Sequence, residues 1–212
     1  GKIGRALAMG NSLVLKPSEF TCLSATRLGE LAQEAGIPDG VLNIVNGSGA
    51  IVGDALARHN DVDMITFVGS SATGKALLVA AGQSNMKRMN LECGGKSPYL
   101  VFDDWSGDLD WLAQDIVSRA FSNQGAVCVS STRLLVQASI KDRLLEKVVE
   151  HAAKITPQDP LNPSTTFGAI MNEAHMNKVL AYVERGSKEG AERLYGGEQV
   201  RKETGGFYLT PA

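Results

Sequence analysis

The sequence has no excess of charge of either sign. Its 212 residues carry 21 Lys and Arg against 23 Asp and Glu, a net charge of −2, and the two signs are mixed along the chain. Proteins that bind nucleic acid or anionic membranes usually carry a basic patch or stripe. The composition therefore favours a small molecule or another protein as the partner, and neither nucleic acid nor a membrane.

Long hydrophobic runs are also absent. No apolar run approaches the roughly 18 residues that predict a membrane-spanning helix, and the first residues lack the pattern of a signal peptide. Both ends look cut, because the chain opens at Gly1 in a helix-like run and closes on Gly-Gly-Phe-Tyr-Leu-Thr-Pro-Ala, which predicts the start of a strand. We interpret the sequence as the central fragment of a longer protein.

The three cysteines form no motif. Cys22, Cys93 and Cys128 are odd in number, widely scattered and without CxxC spacing, which argues against a disulfide framework and against a structural zinc site. We therefore expect no metal and a reducing compartment such as the cytoplasm.

What the chain does contain is a repeated alternation of short apolar runs and helix-like segments. Three such runs, each followed by a helix-like segment, are Leu13–Leu15, Val41–Val45 and Met64–Val68. Strands that alternate with helices of this length require crossover connections and predict a doubly wound parallel sheet of the α/β class. Such sheets bind ligands at the carboxyl ends of their strands.

A pair of glycines, Gly94-Gly95, follows a fourth predicted strand at Met86–Leu91 and indicates a domain junction. We predict a partial dinucleotide-binding domain at residues 1–93 and part of an α/β catalytic domain at residues 94–212. The predicted elements of the second domain are strands at Tyr99–Phe102 and Arg133–Gln137, and helices at Leu109–Phe121, Ile140–Ile155 and Asn172–Arg185.

Two strand ends in the first domain carry polar residues suited to a nucleotide. Gly69-Ser70 opens a loop that leads through Gly74 into a helix, and helix N-termini bind phosphate. This is not the GxGxxG fingerprint, and most such loops are ordinary turns. Lys16 and Glu19 follow the first strand, where a carboxylate can hold ribose hydroxyls, although such a pair is more often a solvated surface pair.

Two further residues could react. Cys128 lies in a Gly-containing turn before a strand, and turns present reactive groups, but a cysteine between two valines is more often a buried hydrophobe. Glu92 ends an apolar strand, where we expect burial. Burial raises the pKa of a carboxylate and suits it to act as a general base.

The order and spacing of these segments resemble the aldehyde dehydrogenase superfamily along essentially all 212 residues. The four segments are similar, in order, to the family's adenosine-ribose segment, pyrophosphate turn, glutamate signature and cysteine signature. They are Gly10-Asn11-Ser12 through Lys16-Pro17-Ser18-Glu19, Phe67-Val68-Gly69-Ser70 through Gly74, Leu91-Glu92-Cys93-Gly94-Gly95-Lys96-Ser97-Pro98, and Phe121 through Cys128.

The resemblance implies a role for nine residues. Cys128 would be the nucleophile and Glu92 the base, and Lys2 falls where the family often has a lysine in a proton relay. The residues implied to contact the cofactor NAD are Lys16, Glu19, Gly49, Gly69, Ser70 and Cys93.

Three positions depart from the family pattern. Ala126 stands where glutamine is usual, Cys93 where leucine is usual and Val68 where threonine is usual. None of these departures removes a reacting group.

The activity implied by the resemblance is oxidation of an aldehyde to a carboxylic acid by NAD, through a cysteine thiohemiacetal and a thioester. The parent enzyme would be a homodimer or homotetramer. The Glu19 carboxylate would repel a 2′-phosphate, which favours NAD over NADP. No histidine is required, and His59, His151 and His175 are interpreted as surface or packing residues.

Two alternatives remain open on the sequence. In the first, coenzyme A replaces water as acceptor of the thioester, which the presence of Glu92 disfavours. In the second, the chain is a truncated, catalytically silent remnant that at most binds nucleotide or a protein partner. The second is motivated by the ends: the family's oxyanion asparagine would precede Gly1, and its nicotinamide-ribose glutamate would follow Ala212.

Overall fold

The computed structural model describes residues 2–212, and the chain divides into two compact units, Gly1–Cys93 and Gly94–Ala212. The helices of the first unit are α1 (Lys2–Ala8), α2 (Cys22–Glu34), α3 (Asp54–Arg58) and α4 (Ser71–Gly82). Its strands are β1 (Leu13–Leu15), β2 (Leu42–Ile44), β3 (Met64–Gly69) and β4 (Arg88–Cys93). A segment of π-helix spans Gly49–Gly53 and leads into α3.

The second unit contains three longer helices and four strands. The helices are α5 (Leu109–Phe121), α6 (Lys141–Ala153) and α7 (Glu173–Lys188). The strands are β5 (Pro98–Val101), β6 (Arg133–Val136), β7 (Gln199–Val200) and β8 (Tyr208–Leu209). None of the helices in residues 2–212 is long and apolar enough to cross a membrane.

The strands pair two by two. Parallel pairs form between β1 and β2, β3 and β4, and β5 and β6, whereas β7 and β8 pair antiparallel. Each parallel pair is connected through at least one helix, as a crossover between parallel strands requires. The prediction of an α/β protein with parallel strands is therefore confirmed. Within the part of the chain that the structure describes, the pairs are not hydrogen-bonded to one another in one continuous sheet.

Each unit has its own hydrophobic core. In the first unit, Ala57, Leu77 and Ala80 are buried against partly buried side chains of β3 and β4. In the second unit, the core lies between the β5–β6 pair and helices α5 and α6. Its buried members are Val101, Leu112, Ala113, Ile116 and Leu144.

The structure corrects two predicted boundaries. Met86 has φ of 55° and its amide donates to Ala81 O at 3.0 Å, so this residue closes the end of α4 and the next strand begins only at Arg88. The predicted start at Met86 was wrong. Helix α4 also begins at Ser71, before Gly74 and not after it as expected, because Ser70 caps it.

Candidate active site

Lys16 lies directly after β1 and connects two loops of the first unit. Its Nζ donates to Pro17 O at 2.7 Å and to Gly47 O at 3.0 Å. Because β1 and β2 are parallel and in register, Lys16 and Gly47 lie at the same edge of this strand pair. The lysine therefore fixes the loop after β2 to the loop after β1.

Glu19 lies beside this lysine. Its Oε2 is 3.8 Å from Lys16 Nζ, and its side chain is 48% exposed, against 17% for Lys16. At that distance and exposure the ion pair adds little stability. A half-exposed carboxylate at a strand end keeps oxygen atoms that can accept hydrogen bonds from a ligand.

The loop that Lys16 holds contains Gly47 and Gly49. Gly47 has φ of 151°, and a Cβ at this position would meet the side chain of Val52, so the loop requires glycine there. Gly49 begins the π-helical segment, and a Cβ at Gly49 would enter open space. The structure therefore places Gly49 beside the Lys16 loop, with room for a neighbouring group.

The turn between β3 and α4 is held by its own residues. Gly69 ends β3, and Ser70 is the N-cap of α4. Ser70 Oγ accepts from Thr73 N at 3.1 Å and lies 2.9 Å from Thr73 Oγ1. A serine cap satisfies one of the amides left unpaired at a helix start. The turn thus presents the positive end of the α4 dipole at the carboxyl end of a strand, as phosphate binding requires.

Strand β4 brings Glu92 and Cys93 to the same edge as that turn. Val68 pairs with Glu92 and Gly69 with Cys93 in the parallel ladder. Cys93 packs toward α4, since a Cβ added at Gly74 would lie 3.4 Å from Cys93 Sγ. Gly69, Glu92 and Cys93 are therefore neighbours in space.

Glu92 is exposed, and the expectation that it would be buried was wrong. Exposed and partly buried residues alternate along β4. Met89, Leu91 and Cys93 are the partly buried set, whereas Glu92 belongs to the exposed set. A strand with one covered face buries only every second side chain. Burial therefore does not prepare this carboxylate for base chemistry.

Cys128 in the second unit is exposed. It lies in a turn closed by a hydrogen bond from Ser130 N to Val127 O at 3.1 Å. The reading of this cysteine as a small buried hydrophobe is thus wrong. The structure instead presents the thiol to solvent on a hydrogen-bonded turn.

Two loops of the second unit are joined next to this thiol. A Cβ at Gly95 would lie 3.6 Å from Cys128 O. Arg133 donates from Nε to Lys96 O at 2.8 Å and from its backbone N to Ser97 O at 3.2 Å. The segment that follows Glu92 in the sequence is therefore fixed to the loop that carries Cys128.

The chain before Cys128 adopts a left-handed turn that the sequence did not reveal. Asn123 and Gln124 have φ of 50° and 57°, and Gly125 has φ of 72°. The left-handed region costs a non-glycine residue on the order of 1–2 kcal/mol. Strain of this kind clusters at functional sites. The sequence carried one signal for it, the Asn-Gln-Gly run, since asparagine and glycine tolerate this region best.

Helix α5, which leads into this turn, is tied to β5 through Asp115. Asp115 Oδ2 accepts from Arg119 Nε at 2.7 Å and from Tyr99 Oη at 2.9 Å. The Arg119 guanidinium, and to a lesser degree the Tyr99 hydroxyl, lower the pKa of Asp115. Burial, followed by the hydrogen bond to Asp115, raises the pKa of Tyr99.

Lys2 lies on α1, a seven-residue helix. Its Nζ is buried and has no hydrogen-bond partner among residues 2–212. Leaving a buried ammonium without a partner is costly.

His151, interpreted from sequence as a surface or packing residue, has its Nε2 3.2 Å from Asp110 Oδ1 and takes no part in the site.

The sequence model of the "Aldehyde dehydrogenase family" matches residues 1–212. The chain belongs to the aldehyde dehydrogenase family. It is 50% identical over 195 residues to the "NADP/NAD-dependent aldehyde dehydrogenase PuuC" of Escherichia coli, covering 92% of this chain and 39% of that protein. It is 46% identical over 196 residues to the aminoacetaldehyde dehydrogenase of Pseudomonas aeruginosa, again covering 92% of this chain and 39% of that one.

Solved aldehyde dehydrogenase structures share the fold. An indole-3-acetaldehyde dehydrogenase solved with NAD+ superposes with a TM-score of 0.97 at 50% identity, covering 99% of this chain and 42% of that one. The aldehyde dehydrogenase KauB from Pseudomonas aeruginosa superposes equally well, at 49% identity and the same coverage. The chain thus spans well under half the length of the relatives it matches.

Proposed function

We propose that the protein carrying this chain oxidises an aldehyde to a carboxylic acid with NAD+ as the hydride acceptor. The observation that carries this proposal is the exposed thiol of Cys128 on a hydrogen-bonded turn after a left-handed run. A structural cysteine has no need of such a presentation, because free cysteines are usually buried. Membership of the aldehyde dehydrogenase family supports the reaction class.

In the proposed reaction, the Cys128 thiolate adds to the aldehyde carbon. A C–S bond forms, the C=O π pair moves to oxygen, and the backbone N–H of Cys128 helps to hold the resulting oxyanion of the thiohemiacetal. NAD+, when bound, supplies the acceptor for the hydride that leaves this carbon. The Cys128 sulfur then holds the acyl group as a thioester.

Hydrolysis of the thioester completes the cycle. We propose that Glu92 takes a proton from the water that attacks the acyl carbon. The C–S bond breaks, and the Cys128 thiolate is regenerated. The sum is one aldehyde, one water and one NAD+ converted to one acid, one NADH and one proton, with a second proton released when the acid ionises. The exposure of Glu92 gives it access to water.

The first unit supplies groups that suit a dinucleotide. Lys16 and Glu19 provide a cation and a half-exposed carboxylate at one strand edge, and Ser70 opens the twelve-residue helix α4 at another strand end. We propose that Glu19 holds ribose hydroxyls, that Gly69 and Ser70 lie at the pyrophosphate, and that Gly49 and Cys93 flank the cofactor. The Glu19 carboxylate favours NAD over NADP, since it would repel a 2′-phosphate.

The assay for this proposal is NADH formation from a panel of aliphatic, aromatic and amino aldehydes. We expect Cys128→Ala to lower turnover by about 10³-fold or more, because the nucleophile is lost, and Cys22→Ala to leave turnover unchanged. Normal turnover by Cys128→Ala would contradict the assignment of Cys128 as the nucleophile. Faster reaction with NADP+ than with NAD+ would contradict the role of Glu19.

Glu92→Gln separates water from coenzyme A as the acceptor. If Glu92 activates water, this variant forms about one equivalent of NADH per site in a burst and then turns over slowly, because the thioester accumulates. A higher rate of NADH formation when coenzyme A is added to the wild-type protein, with an acyl-coenzyme A thioester as product, would instead support the acyl-transfer alternative.

A second candidate is that this chain exists alone as a catalytically silent remnant. It is favoured by the apolar side chains that each unit leaves uncovered, such as Leu23 at 83% exposed and Phe102 at 62% exposed. Large uncovered apolar patches predict association or aggregation. An intact mass near 22.5 kDa together with no NADH formation would support the remnant.

For the parent enzyme we propose a homodimer or homotetramer in a reducing compartment such as the cytoplasm. The three cysteines are all free thiols, which fits such a compartment. Light scattering of the purified protein, with a single species of two or four subunits as the expected result, tests the assembly.

A further inference from the structure

The Gln124 side chain crosses from the turn before Cys128 to a distant part of the second unit. With its amide oriented by the surrounding donors and acceptors, its oxygen accepts from Gly168 N at 2.7 Å. Its nitrogen donates to Asn123 Oδ1 and to Asn123 O, each at 3.2 Å. One side chain thus forms hydrogen bonds both to its neighbour in the turn and to a backbone amide far along the chain.

The far end of this contact is itself fixed. Gly168 follows Phe167, which is buried at 6% exposure. The Phe167 carbonyl accepts from Gln158 N at 2.9 Å. The amide that Gln124 grips therefore belongs to a segment anchored by a buried aromatic ring and a backbone hydrogen bond, and not to a free loop.

The near end of the contact is a strained turn. Asn123, Gln124 and Gly125 are all left-handed, and non-glycine residues stay in this region only where the surroundings impose it. Within the turn, Asn123 Nδ2 donates to Ala126 O at 3.2 Å. A backbone bond from Ala126 N to Asn123 O at 2.9 Å also closes the turn around Gln124, and the Gln124 side chain adds the contact that ties the turn to Gly168.

We propose that Gln124 is a positioning residue, which clamps the left-handed turn to the Gly168 amide and so sets how the Cys128 thiol is presented. Only three residues separate Gln124 from Cys128, so a change of backbone angles at Gln124 redirects the thiol. The statement rests on the proposed function in one respect, that Cys128 is the nucleophile. The clamp itself exists independently of any reaction.

The contact between Gln124 and Gly168 could also serve a merely structural role, in which it only adds stability to the turn. Glycine separates the two roles, because it adopts the left-handed region without strain. Gln124→Gly therefore removes the clamp and the strain at position 124 together, whereas Gln124→Ala removes the clamp and keeps that strain. A positioning role requires that both variants alter the presentation of Cys128, whatever their melting temperatures.

Two measurements on the purified polypeptide test the clamp and its consequence. The first is hydrogen exchange at the Gly168 amide. The second is the rate at which iodoacetamide alkylates Cys128, divided by the rate for Cys22 in the same sample and followed by peptide mass spectrometry. Neither measurement depends on turnover, so the clamp is judged even if the proposed reaction fails.

For Gln124→Ala and Gln124→Gly we expect Gly168 exchange to be about tenfold faster, because the amide loses its acceptor. The Cys128 to Cys22 ratio should fall by about threefold or more, since an unclamped turn presents the thiol for a smaller share of the time. Gln124→Glu keeps an acceptor oxygen and should retain most of both wild-type values.

The matched control is Gln137→Ala. Gln137 Oε1 also accepts from a backbone amide, Asp103 N at 3.1 Å, but at the far end of β6. This variant should change neither Gly168 exchange nor the thiol ratio.

Unchanged exchange at Gly168 in the alanine and glycine variants would overturn the clamp. Faster exchange with an unchanged or higher thiol ratio would overturn the positioning role. If the alanine variant does not fold, the glycine and glutamate variants decide in the same way. Failure of the proposed function shows separately, as turnover retained by Cys128→Ala.

Discussion

Two turns of this protein, each proposed to carry a functional group, are held in different ways. The turn between β3 and α4 is closed by Ser70, which bonds to Thr73 three residues later. The turn before Cys128 has a local backbone hydrogen bond from Ala126 N to Asn123 O at 2.9 Å, and the Gln124 side chain ties it to Gly168 in a distant segment. The first turn belongs to a helix start and forms wherever that helix forms. The contact from the second turn to Gly168 forms only when that distant segment is in place.

The difference has an energetic side. A helix cap closes a very short loop and contributes about 1 kcal/mol with no strain. The clamped turn holds two non-glycine residues in the left-handed region, and its contact closes a long loop, which costs more chain entropy. The α4 turn therefore stabilises the protein. The Cys128 turn is strained, and we infer that contacts around it offset this strain and hold the thiol in place.

The largest expected effect on stability is at Gly125, in the turn before Cys128. A valine at φ of 72° is forced into a conformation that β-branched residues rarely adopt, so we expect Gly125→Val to lower the free energy of unfolding by about 2 kcal/mol. Urea denaturation followed by circular dichroism measures this loss. Gly125→Asn is the matched control, since asparagine tolerates the left-handed region and should cost clearly less. Equal stability of the valine variant and the wild type would refute the strained turn.

Ser70→Ala tests the locally held turn. We expect a loss of about 1 kcal/mol in the free energy of unfolding, because one α4 amide loses its acceptor. Ser71→Ala, at an exposed position next to the cap, should change stability by less than about 0.5 kcal/mol. A Ser70→Ala protein no less stable than the Ser71→Ala protein would show that the Ser70 cap does not stabilise the α4 turn.

The smallest expected effect concerns the helix that leads into the Cys128 turn. The pKa of Asp115 is lowered in the folded protein by Arg119 and Tyr99, so its stabilising contribution is present above the unfolded pKa of about 3.9 and is lost as the pH falls through the lower folded value. Removing the charge in Asp115→Asn should therefore reduce stability at pH 7 by less than about 1 kcal/mol and much less at about pH 2.

Denaturation midpoints at both pH values measure this contribution. Asp142→Asn is the control, because Asp142 is 90% exposed beside Lys141 and has no comparable partner network. A loss at pH 2 as large as the loss at pH 7 would contradict the charged role of Asp115 and leave only a packing role.

Much of the first unit could be predicted from sequence. Apolar runs alternate there with helical periodicity, and the elements appear in the expected order. The helix after Gly69-Ser70 was expected, although its start was placed after Gly74 and Ser70 was not identified as its cap. The boundary errors came from single residues, such as Met86, whose left-handed backbone lies in the turn between the end of α4 at Gly82 and the start of β4 at Arg88.

The exposures of Cys128 and Glu92 could not be predicted. Val127 and Val129 beside Cys128, and the apolar neighbours of Glu92, favoured burial for both residues, and both are exposed. Neighbours in sequence report the polarity of a segment, but exposure depends on which side of a strand or turn is covered by other elements. The alternation along β4 was compatible with a strand covered on one face or on two.

The sequence by itself determined the α/β class, the succession of strands and helices and the resemblance to a family. These features depend on hydrophobic periodicity and on hydrogen bonds between residues a few positions apart. Only the tertiary structure decided that the Cys128 thiol is exposed, that Lys16 joins two loops and that Gln124 grips Gly168. These features depend on segments far apart in the chain, and a local sequence pattern cannot predict a contact between residues that only folding brings together.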